Sequence, residues 1–177
     1  MTATAVSRVG PAWAFAREPL ASLAYWSERL VRKGVKFEKP FKRFEETVLR
    51  FRDPDGLIVE IVAHPDGDKR KEWEGGGIPA EHSLRGFHSI TLLEDGYELT
   101  EKLLTDTLGF RAAGADGSIY RFEVGQGGPG TYIDIRVAPD FLEGRMGIGA
   151  IHHIALHTAS DDAELAWRQR VIEGGTN

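Results

Sequence analysis

The chain has 177 residues, a net charge of −5 and no cysteine. This length suits one domain with a hydrophobic core. The acidic balance gives no support for nucleic acid or an anionic membrane as a partner, and the lack of cysteine excludes disulfides, thiolate nucleophiles and cysteine-based zinc sites. No apolar run approaches the roughly 20 residues that a membrane helix needs. Residues 1–10 have no signal-peptide pattern, so we expect a cytoplasmic protein.

The first part of the sequence predicts a β-α-β-β-β unit over residues 11–63. Apolar residues three or four positions apart predict an amphipathic helix over 20–33, which Gly34 ends. A turn is predicted at residues 53–56 (DPDG), because glycine readily supplies the positive φ that such a turn requires. The strands are predicted at 12–16, 35–37, 47–52 and 57–63.

Residues 64–85 are polar and rich in glycine, proline and charge, which predicts a linker. His64 and His82 fall in this linker and are predicted to be solvated surface histidines. The pattern then repeats as a second unit over residues 86–137. Its predicted elements are a strand at 87–93, a helix at 96–108 ending at Gly109, and strands at 110–112, 118–124 and 131–137.

A third unit begins near residue 151 and is incomplete, with only a strand and a helix predicted over 151–177. The strand is predicted at 151–157, and the helix follows Ser160, a good N-cap residue. His152 and His153 enter this strand and face opposite sides of it, because neighbouring strand residues alternate. An imidazole on a strand is a well-aimed metal ligand, although two ordinary strand-end histidines would give the same pattern.

The repeat aligns without gaps. Setting residues 56–60 against 130–134 places Glu60 on Asp134, each five residues into an equivalent segment that begins with glycine. An internal repeat of this size indicates the fold more strongly than any single residue. The sequence therefore predicts an α+β fold built from repeated β-α-β-β-β units.

Three segments carry a family resemblance: residues 51–56 (FRDPDG), 79–88 (PAEHSLRGFH) and 144–155 (GRMGIGAIHHIA). In this order they resemble the vicinal oxygen chelate superfamily, which contains glyoxalase I, extradiol dioxygenases and bleomycin-resistance proteins. The likeness is closest to its ring-cleaving hydroquinone-type dioxygenases, which have four such units, and it covers nearly the whole chain from residue 12. It implies an Fe(II)- or Mn(II)-dependent dioxygenase acting on a small aromatic molecule.

The resemblance also implies site residues. His153 corresponds to a metal ligand, and His152 to a catalytic neighbour that contacts the substrate or supports the ligand. In the family, two imidazoles and one carboxylate leave three positions of iron(II) open for substrate and dioxygen. The other two ligands come from the first and fourth units, whereas this sequence corresponds to units two and three and the opening of four. We therefore expect the chain alone to bind little or no metal and to be inactive.

The two complete units hold four ligand-equivalent positions of their own: Ala12, Glu60, Ser89 and Asp134. His88 aligns with His152, one residue before the ligand-equivalent Ser89. It is predicted to face the side of the strand opposite to Ser89, because a shift of one residue turns a strand side chain to the other face. Glu60 and Asp134 therefore form either a metal site or a solvated or salt-bridged pair of acids. The lack of an imidazole favours the pair of acids.

Other interpretations remain open. The chain could be a metal-free binding module of the bleomycin-resistance type, or a non-functional fragment of a longer gene product. The binding module would use a cup lined by aromatic residues, which would otherwise pack the core: Trp13, Phe15, Tyr120, Phe122 and Tyr132. An unpaired edge at 151–157 and an apolar helix face (Leu165, Trp167, Val171) predict that residues 151–177 either form a homodimer or are mobile.

Overall fold

The computed structural model describes residues 11–15, 19–64, 71, 76–139, 151 and 153–174, with side chains from residue 21 onwards. Within these residues, strands of a single mixed sheet alternate with helices. The elements are β1 (Pro11–Phe15), α1 (Pro19–Arg32), β2 (Phe41–Arg43), β3 (Glu46–Arg52), β4 (Ile58–Ala63), β5 (Leu84–Glu94), α2 (Glu98–Lys102), β6 (Arg111–Asp116), β7 (Ile119–Glu123), β8 (Tyr132–Val137) and α3 (Asp161–Glu173). A 3₁₀ turn at Ala80–His82 precedes β5, and a π-helical turn at Leu103–Thr107 follows α2.

The strand order in the sheet is β2-β3-β4-β1-β5-β8-β7-β6. The sheet has two halves, the first formed by β1–β4 and the second by β5–β8. In each half the first strand is parallel to the last one, β1 to β4 and β5 to β8, and the other neighbours are antiparallel. The antiparallel pair β1–β5 joins the halves. The same β-α-β-β-β arrangement therefore occurs twice, and the predicted fold class is confirmed. The division at 11–63, 64–85, 86–137 and 151–177 stays a prediction, and β5 starts at Leu84, inside the proposed linker.

Each half has its own apolar core between its helix and one face of the sheet. Strand alternation sends Ile61 and Ala63 of β4 toward α1, and it sends Ile133 and Ile135 of β8 toward the π-helical turn. The intervening Glu60 and Asp134 must therefore face the opposite side. The buried core residues are Leu23, Trp26, Leu30, Leu49, Ile61 and Ala63 in the first half, and Leu104, Phe110, Phe122, Ile133 and Ile135 in the second.

Elements with strong local signals lie close to their predicted positions. Helix α1 spans Pro19–Arg32 and is followed by Gly34 at φ 69°. In the 53–56 turn, Asp53 Oδ1 accepts hydrogen bonds from the N–H groups of Asp55 (2.9 Å) and Leu57 (2.8 Å). Gly56 adopts φ 89° there, which residues with a side chain rarely adopt.

Two elements inside the units differ from their predictions. The strand predicted at 35–37 is reduced to one bridge between Phe37 and Phe51, and β2 begins only at Phe41. Pro40 has no N–H and restricts the conformation of the residue before it, which explains why regular strand pairing begins only after Pro40. The helix predicted at 96–108 is a short α2 followed by a π-helical turn, in which the Thr105 hydroxyl donates to the Glu101 carbonyl at 3.0 Å. Such a side-chain bond competes with regular helical geometry.

The predicted helix after Ser160 is confirmed as α3, and the Ser160 hydroxyl accepts from the Ala163 N–H at 3.3 Å. The strand predicted at 151–157 is wrong for the described residues 151 and 153–157, which form no ladder. A strand requires a neighbour with which to exchange hydrogen bonds, and none of the described strands pairs with this segment. No helix in the described part of the chain is long and apolar enough to cross a membrane.

Candidate functional site

The two halves turn their polar sheet faces toward each other. On β3, Glu46, Val48 and Arg50 alternate with core residues, and on β7, Arg121 does the same. Arg121 reaches across from the second half to Glu46 of the first, and both residues are buried. The space between the halves is therefore occupied by charged side chains of the protein itself.

In the first half, Glu60 is neutralised by two arginines on neighbouring strands. Arg50 lies opposite it in the β3–β4 ladder and donates from Nε (2.9 Å) and Nη2 (2.7 Å) to its Oε1. Arg43 Nη2 forms an ion pair with its Oε2 at 2.7 Å. Burial favours a higher pKa for Glu60, but the charge of Arg43 and then that of Arg50 outweigh it and lower the pKa.

The second half repeats this arrangement. Arg121 lies opposite Asp134 in the β7–β8 ladder, as Arg50 lies opposite Glu60. Arg121 donates from Nε to Asp134 Oδ1 at 2.7 Å and from Nη2 to Oδ2 at 2.9 Å. The alignment of Glu60 with Asp134 therefore holds in three dimensions, and each acid has an arginine as its cross-strand partner.

Arg121 also joins this pair to a wider buried group, which we call the central ion cluster: Glu46, His88, Arg121 and Asp134. Its Nη1 and Nη2 donate to the two oxygens of Glu46 at 3.0 and 3.1 Å. The guanidinium lies over the rings of Phe44 (4.3 Å) and Tyr132 (4.4 Å). Burial acts to lower the pKa of Arg121, but the hydrogen bonds and charge of Asp134, followed by those of Glu46, outweigh it and raise the pKa.

His88 is the member that the sequence reasoning missed. The β1–β5 pairing is irregular here, since Ala12 pairs with Ser89 and Trp13 pairs with Phe87, leaving His88 as the extra residue of a bulge. His88 Nε2 consequently lies 2.6 Å from Glu46 Oε1, and its Nδ1 lies 3.0 Å from the Ser89 hydroxyl. The prediction that His88 turns away from Ser89 was wrong, because a bulge breaks the alternation on which it rested.

The electrostatics of Glu46 follow from these contacts. Its burial acts to raise the pKa, but the hydrogen bond and charge of His88, followed by those of Arg121, lower the pKa from 4.5 to about 2. His64 lies at the edge of the cluster, with its Nε2 3.9 Å from Glu46 Oε1. The prediction of a solvated His64 was wrong. His82 is also half-buried, stacked on Tyr25 at 4.5 Å between ring centroids.

These residues do not fit a metal ion. Of the ligand-equivalent positions, Glu60 and Asp134 are engaged by arginines and Ser89 contacts His88. A cation placed there would face the guanidinium charges at close range. Among the described residues, no group of three or more histidine, aspartate or glutamate side chains could hold a metal ion. The salt-bridged pair of acids is the interpretation that the geometry supports.

The predicted site histidines lie elsewhere. His152 is outside the described residues. His153 is exposed, and it lines a cavity of about 870 Å³ between the second half, α3 and the segment that precedes α3. Trp167 closes one side of this cavity, and its ring would lie 3.2 Å from a Cβ at Gly109. The structure thus places His153 at an accessible apolar cavity, which His88 of the central ion cluster also lines.

The aromatic residues predicted to line a cup lie in different environments, and of those with described side chains only Tyr132 lines the cavity of about 870 Å³. Phe122 belongs to the core of the second half, and Tyr120 packs against that core, stacked on Tyr97 at 3.8 Å. Tyr132 contacts Arg121 and His88. The side chains of Trp13 and Phe15 lie outside the described ones.

The curated proteins that match this chain carry dioxygenase names. No family model matches the chain. The chain is 32% identical over 157 residues to MhqO of Bacillus subtilis (strain 168), a protein assigned to the ring-cleaving dioxygenases, over 89% of this chain and 49% of MhqO. It is 29% identical over 151 residues to the chlorohydroquinone/hydroquinone 1,2-dioxygenase of Sphingobium indicum, over 84% of this chain and 47% of that enzyme. The chain spans about half the length of the curated relatives it matches.

Solved structures agree with these relatives. A crystal structure of a protein assigned as a dioxygenase from Bacillus subtilis subsp. subtilis str. 168 matches with a TM-score of 0.81 and 28% identity, over 93% of this chain and 51% of that one. Glyoxalase I from Zea mays matches with a TM-score of 0.52 and 17% identity, over 75% of this chain and 43% of that one, which shows the fold alone. The chain has the glyoxalase-like fold of the vicinal oxygen chelate superfamily. Within it, the relatives named above carry ring-cleaving dioxygenase names.

Proposed function

We propose that this chain is part of an Fe(II)- or Mn(II)-dependent extradiol-type ring-cleaving dioxygenase that acts on hydroquinone-like aromatic molecules. The observation that carries the proposal is the match to the Sphingobium indicum hydroquinone dioxygenase over 84% of the chain. A cytoplasmic location belongs to the same proposal and is tested by cell fractionation.

Within this proposal, His153 supplies one metal-binding nitrogen and His152 contacts the aromatic substrate. The exposure of His153 beside an apolar cavity supports the assignment, because a flat aromatic ring requires such a surface next to the metal. One imidazole does not fill the donor set of a catalytic iron. The remaining donors are proposed to come from residues beyond this chain, since Glu60 and Asp134, the acids at ligand-equivalent positions, are held by arginines. We therefore propose that the chain alone is inactive.

An oxygen-uptake assay with hydroquinone tests the proposal. The chain alone, supplied with iron(II), should consume no oxygen above the protein-free rate. The chain fused to the part of the Sphingobium indicum enzyme that it does not cover should consume oxygen, and His153→Ala should abolish that activity. His157→Ala is the matched control, because this histidine lines the same cavity and is also exposed. Activity of the chain alone, or an active fusion indifferent to His153→Ala, would contradict the proposal.

A second candidate function is a metal-free binding module of the bleomycin-resistance type. The cavity of about 870 Å³ favours it, because that volume lies within the range of small-molecule sites. Calorimetric titration of the chain with hydroquinone in the presence of a chelator separates the two functions. Saturable binding that is lost in Trp167→Ala would favour the binding module.

A further inference from the structure

A second hollow lies on the opposite half of the molecule, at the end of α1. It has a volume of about 430 Å³ and is lined by Tyr25, Arg29, Arg32, Lys33, Gly77 and Pro79. The first four of these residues lie on one face of α1 and at its C-terminal end, since residues three, four, seven and eight apart share a helix face. Three cations thus converge on one small hollow of a chain whose net charge is −5.

Arg29 is held in position by its surroundings. Its Nη2 donates to the carbonyl of Gly76 at 3.2 Å, and its Nη1 donates to the Tyr25 hydroxyl at 3.5 Å. Its guanidinium also lies 5.9 Å from the centre of the Trp26 ring. These contacts fix the guanidinium between the helix and the loop, so part of its side-chain entropy is already lost before any ligand binds.

Arg32 and Lys33 differ from Arg29 in having no such partners. Both are exposed, and within the described part of the chain neither forms an ion pair or a side-chain hydrogen bond. Cations at the end of a helix favourably offset its dipole, which explains why they lie near the end of α1. That effect does not explain why they share a hollow with a glycine loop.

The loop side of the hollow is open backbone. Gly76 and Gly77 adopt φ values of 59° and 63°, and a Cβ at Gly77 would meet nothing within 4 Å. Glycines of this kind allow a ligand to approach the main chain closely. Among the described residues, the N–H of Gly77 has no backbone hydrogen-bond partner. Gly77 itself lines the hollow, so its main chain lies beside the cations.

We propose that this hollow binds the phosphate group of a small phosphorylated molecule. A phosphate group carries about two negative charges near neutral pH and several acceptor oxygens, which suits two guanidinium groups, an ammonium group and a phenol. A carboxylate has one charge and fewer acceptors, so it uses the hollow less completely. The inference is independent of the proposed dioxygenase activity, because the hollow is formed by α1 and the 76–79 loop, away from His153.

The test is a titration of the full chain with inorganic phosphate, phenyl phosphate, acetate and chloride at constant ionic strength, followed by the amide NMR signals of Gly76 and Gly77. Both phosphates should give saturable shifts, with weaker binding of acetate and none of chloride. The double variant Arg32→Gln/Lys33→Gln should bind phosphate about tenfold more weakly, since two screened charges are lost at close range.

The double variant Lys42→Gln/Lys102→Gln is the control, because it removes two exposed charges that do not line the hollow. It should bind phosphate as the unmodified chain does. The proposal is overturned if phosphate gives no saturable shift, if acetate binds as tightly as phosphate, or if both double variants weaken binding equally. The substituted side chains of both variants are exposed, so thermal unfolding should confirm that each variant remains folded.

Discussion

Glu46 of β3 and His88 of β5 are joined by a hydrogen bond of 2.6 Å, and this bond connects the two β-α-β-β-β units. Both side chains are buried, at 1% and 0% exposure, so the bond is protected from water. Arg121 of β7 strengthens the connection from the second unit by donating to both oxygens of Glu46. The units are thus held together by a buried charge network as well as by the β1–β5 ladder.

Replacing Glu46 should destabilise the whole fold. Glu46→Gln removes one of the two carboxylates that pair with Arg121, and breaking a buried ion pair from one side costs about 3 kcal/mol. Urea unfolding measures the change in the free energy of unfolding. Glu45→Gln is the control, because Glu45 is the neighbouring exposed glutamate and its loss should change stability by less than about 0.5 kcal/mol. Equal stability of the two variants would contradict the role of the network.

The same carboxylate makes stability depend on pH. The pKa of Glu46 is lowered from 4.5 to about 2 in the folded chain, so its ionised form is favoured by folding. Its contribution is present above pH 4.5 and is lost as the pH falls toward 2, and it amounts to about 3 kcal/mol. Unfolding measured between pH 6 and pH 2 should therefore show a smaller loss of stability in Glu46→Gln than in the unmodified chain. If the free energy of unfolding falls with pH equally in Glu46→Gln and in the unmodified chain, the lowered pKa of Glu46 is contradicted.

Gly109 should tolerate a side chain less well than Gly34. Both glycines follow a helix with positive φ, 71° and 69°, so alanine is strained at either position. A Cβ at Gly109 would also lie 3.2 Å from the Trp167 ring, whereas at Gly34 it would meet nothing within 4 Å. Gly109→Ala should cost about 1 kcal/mol more than Gly34→Ala because of this crowding. The difference should vanish in a Trp167→Ala background; if it persists there, α3 does not pack on this turn.

Residues 151–177 are expected to mediate a homodimer. Leu156, Leu165 and Ile172 are 50%, 60% and 51% exposed, although Trp167 and Val171, predicted for the same face, are half-buried at the cavity. A second copy would cover the exposed leucines and isoleucine. Light scattering should show a dimer that Leu165→Glu/Ile172→Glu dissociates and that Val31→Glu, an exposed position on α1, leaves intact. A monomeric full chain at high concentration would refute this.

Features determined by local sequence could be predicted. Gly34, the 53–56 turn and the Ser160 cap each depend on a few neighbouring residues, and all three are found. The equivalence of Glu60 and Asp134 could also be predicted, because the repeat fixes equivalent strand positions.

Features determined by pairing between distant segments could not be predicted. The bulge at His88 arises where β5 meets β1, and the contact of His88 with Glu46 joins residues 42 positions apart. The missing ladder at 153–157 depends in the same way on the absence of a paired neighbour among the described strands. A sequence pattern reports which face a strand residue prefers, but it does not report which strand lies beside it.

The iron content of the isolated chain tests the central claim most directly. After incubation with iron(II) and removal of unbound metal under anaerobic conditions, the unmodified chain and His153→Ala should both retain far less than one iron per chain. Of the family's ligand positions this chain supplies only the His153 imidazole, and the equivalent acids Glu60 and Asp134 are engaged by Arg43, Arg50 and Arg121, so the donors are too few. One iron retained per unmodified chain and lost in His153→Ala would show that the chain builds a complete metal site by itself.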